Sequence, residues 1–185
     1  MKEQLMEAVE KVKNGEVILH LTDTIWGLAC DPKNEAAVER IHQIKNRPEG
    51  KSFIVLISDP TQLYTFVEKI PEIAWDIIEM SEEPLTIVYP KGRNVAKKVL
   101  PEDGSIAIRL VKEGECFQLL KKMKNGLISS SANVSGDPSP STFSEISEEV
   151  LNAVDYVVNS NLNTNKKASK IIKLDLDGSF KLIRG

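Results

Sequence analysis

Apolar residues recur along this chain with two alternating periods. Leu5, Val9 and Val12 fall at helical spacing and Gly15 follows as a stop, which predicts an amphipathic helix over residues 2–14. The pattern then tightens to a continuous apolar run of strand type at 17–21. Asn34 is placed to cap a helix in which Val38, Ile41 and Ile44 share one face, with Pro48 closing it. A strand at 53–57, a helix opened by Pro71 and strands at 85–89 and 105–110 follow, then a helix over 116–124 and a strand over 127–130. Thr142 with Glu145 forms a capping-box signal for one more helix. Two final strands, 169–174 and 180–183, flank Asp177-Gly178, a tight-turn signal that predicts a hairpin. The alternation is that of an α/β fold, and no repeat or low-complexity linker interrupts it.

A chain of 185 residues with 41% hydrophobic content can bury one core and is short for two, so a single domain over residues 1–185 is expected. The net charge of −3 lacks the basic excess of a general nucleic-acid binder, so any polyanion must meet a local basic cluster. Cys30 and Cys116 stand far apart without a CxxC or Cys/His pairing, which points to reduced core thiols and away from a disulfide framework or zinc site. His20 and His42 lack metal-ligand spacing and are expected in packing or surface roles. The N-terminal segment is charged and helical in period, unlike a signal peptide or membrane span, so a cytoplasmic protein is expected.

Three segments are too polar for their apolar flanks. Thr22-Asp23-Thr24-Ile25-Trp26-Gly27 brings two hydroxyls and a carboxylate up to a glycine directly after a strand; a hydroxyl-stabilised turn would use the same residues. Lys45-Asn46-Arg47-Pro48-Glu49-Gly50-Lys51 carries three cations. Pro48 pushes Arg47 away from helix, and in an extended stretch Lys45 and Arg47 would point the same way. At 4 Å and an effective dielectric of 20, two such charges repel by about 4 kcal/mol, a cost that a bound polyanion reverses. An exposed basic helix end favouring the dipole is the plainer alternative. The third segment runs from an apolar strand into Ser129-Ser130-Ser131-Ala132-Asn133-Val134-Ser135-Gly136, neutral donors and acceptors at the strand end where open α/β sheets bind ligands, or simply a solvated turn. Arg109 ends another apolar strand, where burial demands an anionic partner from a ligand or from elsewhere in the fold. No Walker loop and no catalytic triad can be found.

Together these segments resemble the YrdC-type threonylcarbamoyl-AMP synthase family across nearly the whole chain. Thr22-Asp23-Thr24-Ile25-Trp26-Gly27-Leu28 is similar to its PTDTVYGL element, and Lys45-Asn46-Arg47-Pro48 with Lys51 to its KxRPxxKPL element. Residues Ser129 to Gly136 are similar to its STSANxSG element, with Pro84-Leu85-Thr86 and Ala107-Ile108-Arg109 between in the family's order. Leu21, Trp26, Ser52-Phe53, Ser81-Glu82-Glu83 and Leu110-Val111 depart from the family pattern at framework positions.

The resemblance implies a single twisted mixed sheet with flanking helices around a deep basic cavity. It implies a nucleotidyltransferase that joins L-threonine, bicarbonate and ATP, with Mg2+ accompanying the ATP, and releases pyrophosphate. It places Thr22, Arg109, Ser129 and Ser169 around threonine, and Lys45, Arg47, Ser105, Ser131, Asn133, Ser139 and Arg184 around ATP, with Lys45, Arg47 and Lys51 as the catalytic cations. The product would serve tRNA modification through a separate transferase complex, with no membrane involved. The alternative within the same resemblance is a YciO-like paralogue that binds a nucleotide, tRNA or double-stranded RNA without this activity.

Overall fold

The computed structural model describes residues 2–47, 50–160 and 168–185. In chain order the elements are α1 (Lys2–Lys13), β1 (Ile18–Leu21), β2 (Trp26–Ala29), α2 (Glu35–Ile44), β3 (Ile54–Ile57), α3 (Leu63–Phe66), α4 (Ile73–Met80) and β4 (Leu85–Tyr89). They continue with β5 (Ile106–Leu110), α5 (Gly114–Met123), β6 (Leu127–Ser131), α6 (Glu148–Ala153), β7 (Tyr156–Val157), β8 (Lys170–Leu174) and β9 (Phe180–Arg184). Among the described residues the nine strands form one mixed sheet in the order β7-β1-β2-β6-β3-β5-β4-β8-β9. The pairs β3/β5, β4/β8 and β1/β7 are parallel and the others antiparallel.

Strand alternation divides the core into two layers. Leu19, Leu21, Val55, Ile57 and Ile128 pack with α2 through Ala37, Val38 and Ile41, whereas Ile18, Leu56 and Leu127 pack with α1 and α5 through Val9, Val12, Leu119 and Leu120. Cys30 belongs to the first layer and Cys116 to the second; both are free and buried, and burial pushes both thiols up well above the usual range. No helix among the described residues is long and apolar enough to cross a membrane.

The expected elements form, with informative shifts. Trp26 and Gly27, expected in the polar segment Thr22 to Gly27, instead open strand β2, with Gly27 opposite His20 and Trp26 opposite Leu21. Asn34 caps α2 as expected, its side chain accepting from the N–H of Ala37 at 3.0 Å. The helix stops at Asn46, which adopts φ 44°: the N–H groups of Asn46 and Arg47 return to the carbonyls of Gln43 and His42, a Schellman closure with asparagine in glycine's usual place. Pro48, expected to end the helix, lies outside the described residues. The helix announced by Pro71 starts at Ile73. Glu145 accepts from the N–H groups of Ser141 and Thr142, yet this capping box opens only a single 3-10 turn, Phe143–Glu145, and Ser147 caps α6 instead. The β8–β9 hairpin forms, but Leu174 opposes Phe180, so five residues span the turn instead of two.

Candidate functional site

Four strand steps separate β1 from β5, about 19 Å in a flat sheet. Yet Asp23, at the β1–β2 tip, places Oδ1 2.9 Å from Arg109 Nη2 on β5. The sheet therefore curls, and the tip leans over the face that carries Arg109. Both partners are buried, with side-chain exposures of 4% for Arg109 and 8% for Asp23. The partner Arg109 demanded thus comes from the fold itself, and one prong of its fork is already taken. Nη2 also lies 3.4 Å from Thr24 Oγ1, Nη1 donates to Ser169 Oγ at 3.3 Å, and Nε is buried without a partner. Ser169 is held in turn by Thr86, Oγ to Oγ1 at 2.8 Å, and its carbonyl accepts from Arg184 Nη2 and Nε at 2.8 and 3.1 Å. Burial and the neighbouring Arg109 charge both push the Arg184 guanidinium down from its ordinary value. Two cations so placed favour an anion between them.

Thr22 is committed to the turn. Its Oγ1 donates to the Ile25 carbonyl at 2.7 Å and accepts from the N–H groups of Thr24 and Ile25, both at 3.0 Å. With its one proton used, the 2.9 Å contact to Thr24 Oγ1 makes the Thr24 hydroxyl the donor. The turn-stabilising reading of this segment therefore holds for Thr22, and β6 presents three further hydroxyls, Ser129, Ser130 and Ser131. Gly27 lets β6 approach: a Cβ there would lie 3.1 Å from Ser129 Oγ, 3.2 Å from the Ser130 carbonyl and 3.3 Å from Thr22 Cγ2.

Lys45 and Arg47 do not converge as an extended stretch would make them. The left-handed Asn46 sends Lys45 inward, 1% exposed, where Nζ donates to the carbonyls of Ser131 and Asn133. Burial, then the Arg47 charge, pushes the Lys45 amine down to about 8. The Lys45 carbonyl accepts from Ser135 N–H at 2.7 Å, so this one residue holds the serine-rich loop from both ends. Arg47 instead donates through Nη2 to the Ser52 carbonyl at 2.6 Å and lies over the Phe53 ring, 4.8 Å from its centroid.

These parts enclose a cavity of about 560 Å³. Its lining brings together Thr22, Arg47, Lys51, Arg109, Ser129, Ser131, Ser139, Ser169 and Arg184 of the expected site residues. Among the described residues four cations and eight hydroxyl side chains line it, and no carboxylate does. Lys45, Ser105 and Asn133 are not part of the lining. Lys45 lies behind the Ser131–Asn133 backbone, and Ser105 donates its N–H to Asp103 Oδ1 at 3.0 Å in the turn before β5. Asn133 donates to the carbonyls of Val134 and Asp137, both at 2.8 Å, and lines a smaller neighbouring cavity that shares Ser139. Residues given no site role from sequence also contribute: Thr86 steadies Ser169, and Trp26 lines the cavity and meets the edge of Phe143 at 5.1 Å between centroids. The signals for Thr86 were its hydroxyl inside the apolar strand LTIVY and its place in Pro84-Leu85-Thr86.

Comparison with known proteins places this arrangement. The Sua5/YciO/YrdC family model, described as "Telomere recombination", matches residues 10–185. A threonylcarbamoyl-AMP synthase of Pseudoalteromonas translucida is 32% identical over 167 residues, covering 89% of either chain, and that of Idiomarina loihiensis is 28% identical, covering 87% of this chain and 88% of the relative. Among solved structures, P. abyssi Sua5 complexed with L-threonine aligns at TM-score 0.83 with 26% identity over 92% of this chain; the chain spans only half of that protein's length. E. coli YciO aligns at TM-score 0.86 over the whole chain and 89% of its own, with 24% identity.

Proposed function

Because this chain belongs to the Sua5/YciO/YrdC family, we propose that it is an L-threonylcarbamoyl-AMP synthase, a nucleotidyltransferase acting on L-threonine, bicarbonate and ATP. The observation that carries the reading is the composition of the cavity wall, which among the described residues has four cations and eight hydroxyls without a carboxylate and suits a triphosphate beside a small zwitterion.

The threonine amine attacks the carbon of bicarbonate-derived carbon dioxide and loses a proton to solvent, giving a carbamate. A carbamate oxygen then attacks the α-phosphorus of ATP, the bond to the bridging oxygen breaks, and pyrophosphate leaves. No covalent enzyme intermediate is needed, so rate comes from positioning and from neutralising charge on phosphate oxygens. Arg47, Lys51 and Arg184 grip the phosphates, with Ser131 and Ser139 beside them. Arg109 offers its Nη1 prong to the threonine carboxylate while Asp23 fixes Nη2, and Ser129 and Ser169 read the amine and hydroxyl. Lys45, Asn133 and Ser105 act by holding the loops, and the buried Lys45 charge deepens the positive field. Magnesium enters with the triphosphate as part of the substrate and is held by phosphate and water, as magnesium seldom uses an all-protein cage. The adenylated carbamate is then handed to a separate transferase that acts on tRNA.

Purified protein incubated with ATP, magnesium and bicarbonate, with and without L-threonine, tests this directly through pyrophosphate release and mass spectrometry of the product. Threonine- and bicarbonate-dependent product is expected, with Arg47→Ala lowering kcat/KM for ATP about 100-fold. ATP binding without product would overturn the synthase reading in favour of a nucleotide-binding paralogue.

A further inference from the structure

A second cavity, of about 440 Å³, opens on the other face of the sheet. Along β5, Ala107 and Arg109 line the first cavity while Ile108 and Leu110 line the second; along β4, Val88 serves the first and Leu85, Ile87 and Tyr89 the second. Helix α4 covers one side of it: only Ala74 of its eight residues is buried, while Trp75, Ile77 and Ile78 pack half-buried against the core, and Ile78 lines the cavity. A cleft of this size falls within the range of small-molecule sites, which begin at about 300 Å³.

The lining is chemically specific. Ile57, Ile78, Ile87, Ile108 and Leu110 make it apolar, and the hydroxyl of Tyr89, a residue 1% exposed, has no hydrogen-bond partner among the described residues. The polar members are mostly acidic: Asp23, Glu82, Glu83 and Glu113 against one cation, Lys112. Lys112 is spent on the carbonyls of Ile78 and Ser81, at the C-terminal end of α4. Asp23 and Glu83 are paired with Arg109 and Lys170, but Glu82 and Glu113 have no ion-pair partner among the described residues. Uncompensated negative charge at the mouth of an apolar hole selects against anions and for cations.

We propose that this α4-side cavity is a second ligand site, separate from the cationic cavity, for a small organic cation whose apolar body fills the isoleucine-lined space and whose ammonium group lies at the Glu82 and Glu113 rim. The proposal stands whether or not the synthase reading does, because it asks only for binding, and among the described residues Asp23 is the one lining residue that also serves the first cavity, through Arg109.

The probe is 4-phenylbutylamine, compared with 4-phenylbutanol and 4-phenylbutanoate, titrated into the full chain carrying 13C at isoleucine δ1 methyls. The amine is expected to shift the methyls of Ile57, Ile78, Ile87 and Ile108 saturably, near the roughly 1 mM affinity of a ligand that size, and to leave Ile54 and Ile171 of the first cavity unmoved. It should bind about threefold more tightly than the alcohol, with the carboxylate weakest, as befits partly exposed ion pairs. Glu82→Gln with Glu113→Gln should bring the amine down to the alcohol's affinity, and Ile78→Trp, at a half-exposed helix position, should cut amine binding at least about tenfold. Equal or tighter binding of the carboxylate, shifts confined to Ile54 and Ile171, or no saturable shift with any of the three would each overturn the proposal. Should Ile78→Trp fail to fold, the two glutamine substitutions decide the matter alone.

Discussion

Removing the Asp23 carboxylate would leave the Arg109 guanidinium charged, buried and without an anionic partner among the described residues. Breaking a buried pair from one side costs about 3–5 kcal/mol, because the surviving charge has lost both water and its counter-ion. Asp23→Asn should lower the urea-unfolding free energy by that amount, and Arg109→Leu in the same chain should recover part of it; an unchanged midpoint would mean that water reaches Arg109. His20 supplies a second prediction at this scale. Burial, reinforced by the Arg109 charge, holds the imidazole down at about 4, and both ring nitrogens are buried without partners among the described residues. The unfolded histidine binds its proton near 6.5, so below that pH the unfolded state takes up a proton that the folded state refuses. Stability from this residue is complete above pH 6.5 and is lost as pH falls toward 4, by up to about 3 kcal/mol. Urea midpoints at pH 7 and pH 5 should differ for the parent chain and differ less for His20→Phe. Much at this scale was legible in the sequence: Arg109 announced its need for an anion. Its partner was not legible, because Asp23 lies 86 positions away and reaches it only through the curl of the sheet. The divergence of Lys45 and Arg47 was hidden in the φ of a single asparagine.

Helix ends carry the next level of dependence. Gly15 follows α1 at φ 82°, and a Cβ on it would lie 2.6 Å from Asn34 Nδ2, the side chain that caps α2. Gly15→Ala therefore strains its own backbone and dislodges another helix's cap, each worth about 1 kcal/mol, for a loss of about 2 kcal/mol. Asn34→Ala alone should cost about 1 kcal/mol and less in the Gly15→Ala background, since the clash and the cap are then both gone; thermal melts of the four proteins check this, and strict additivity would refute the contact. Elements with clean periodicity, such as α1 and α2, could be read directly from spacing. Strand β2 could not, because its four residues WGLA begin inside a turn motif and show no alternation, both faces of the strand being buried. The Thr142 capping box was equally visible, but a cap does not state how long its helix will run, and here the helix begins again at Ser147.

Strand order is the property of the whole molecule that local patterns do not contain. β6, late in the chain, lies between β2 and β3, and β5 between β3 and β4, so neighbours in space are set by long-range pairing and not by chain order. Residues of the three polar motifs meet at one cavity only because of that interleaving and the curl it permits. The same architecture puts Cys30 in the layer with α2 and Cys116 in the layer with α1 and α5, both at 1% exposure or less. Each thiol is thus a clock for one side of the sheet, silent toward disulfide reagents until its own side opens. Under mild denaturant, timed thiol exchange followed by peptide mass mapping should show Cys116 exchanging ahead of Cys30, because α5 can peel away while the strands stay paired. Matched rates would instead show that the two layers come apart as one cooperative unit.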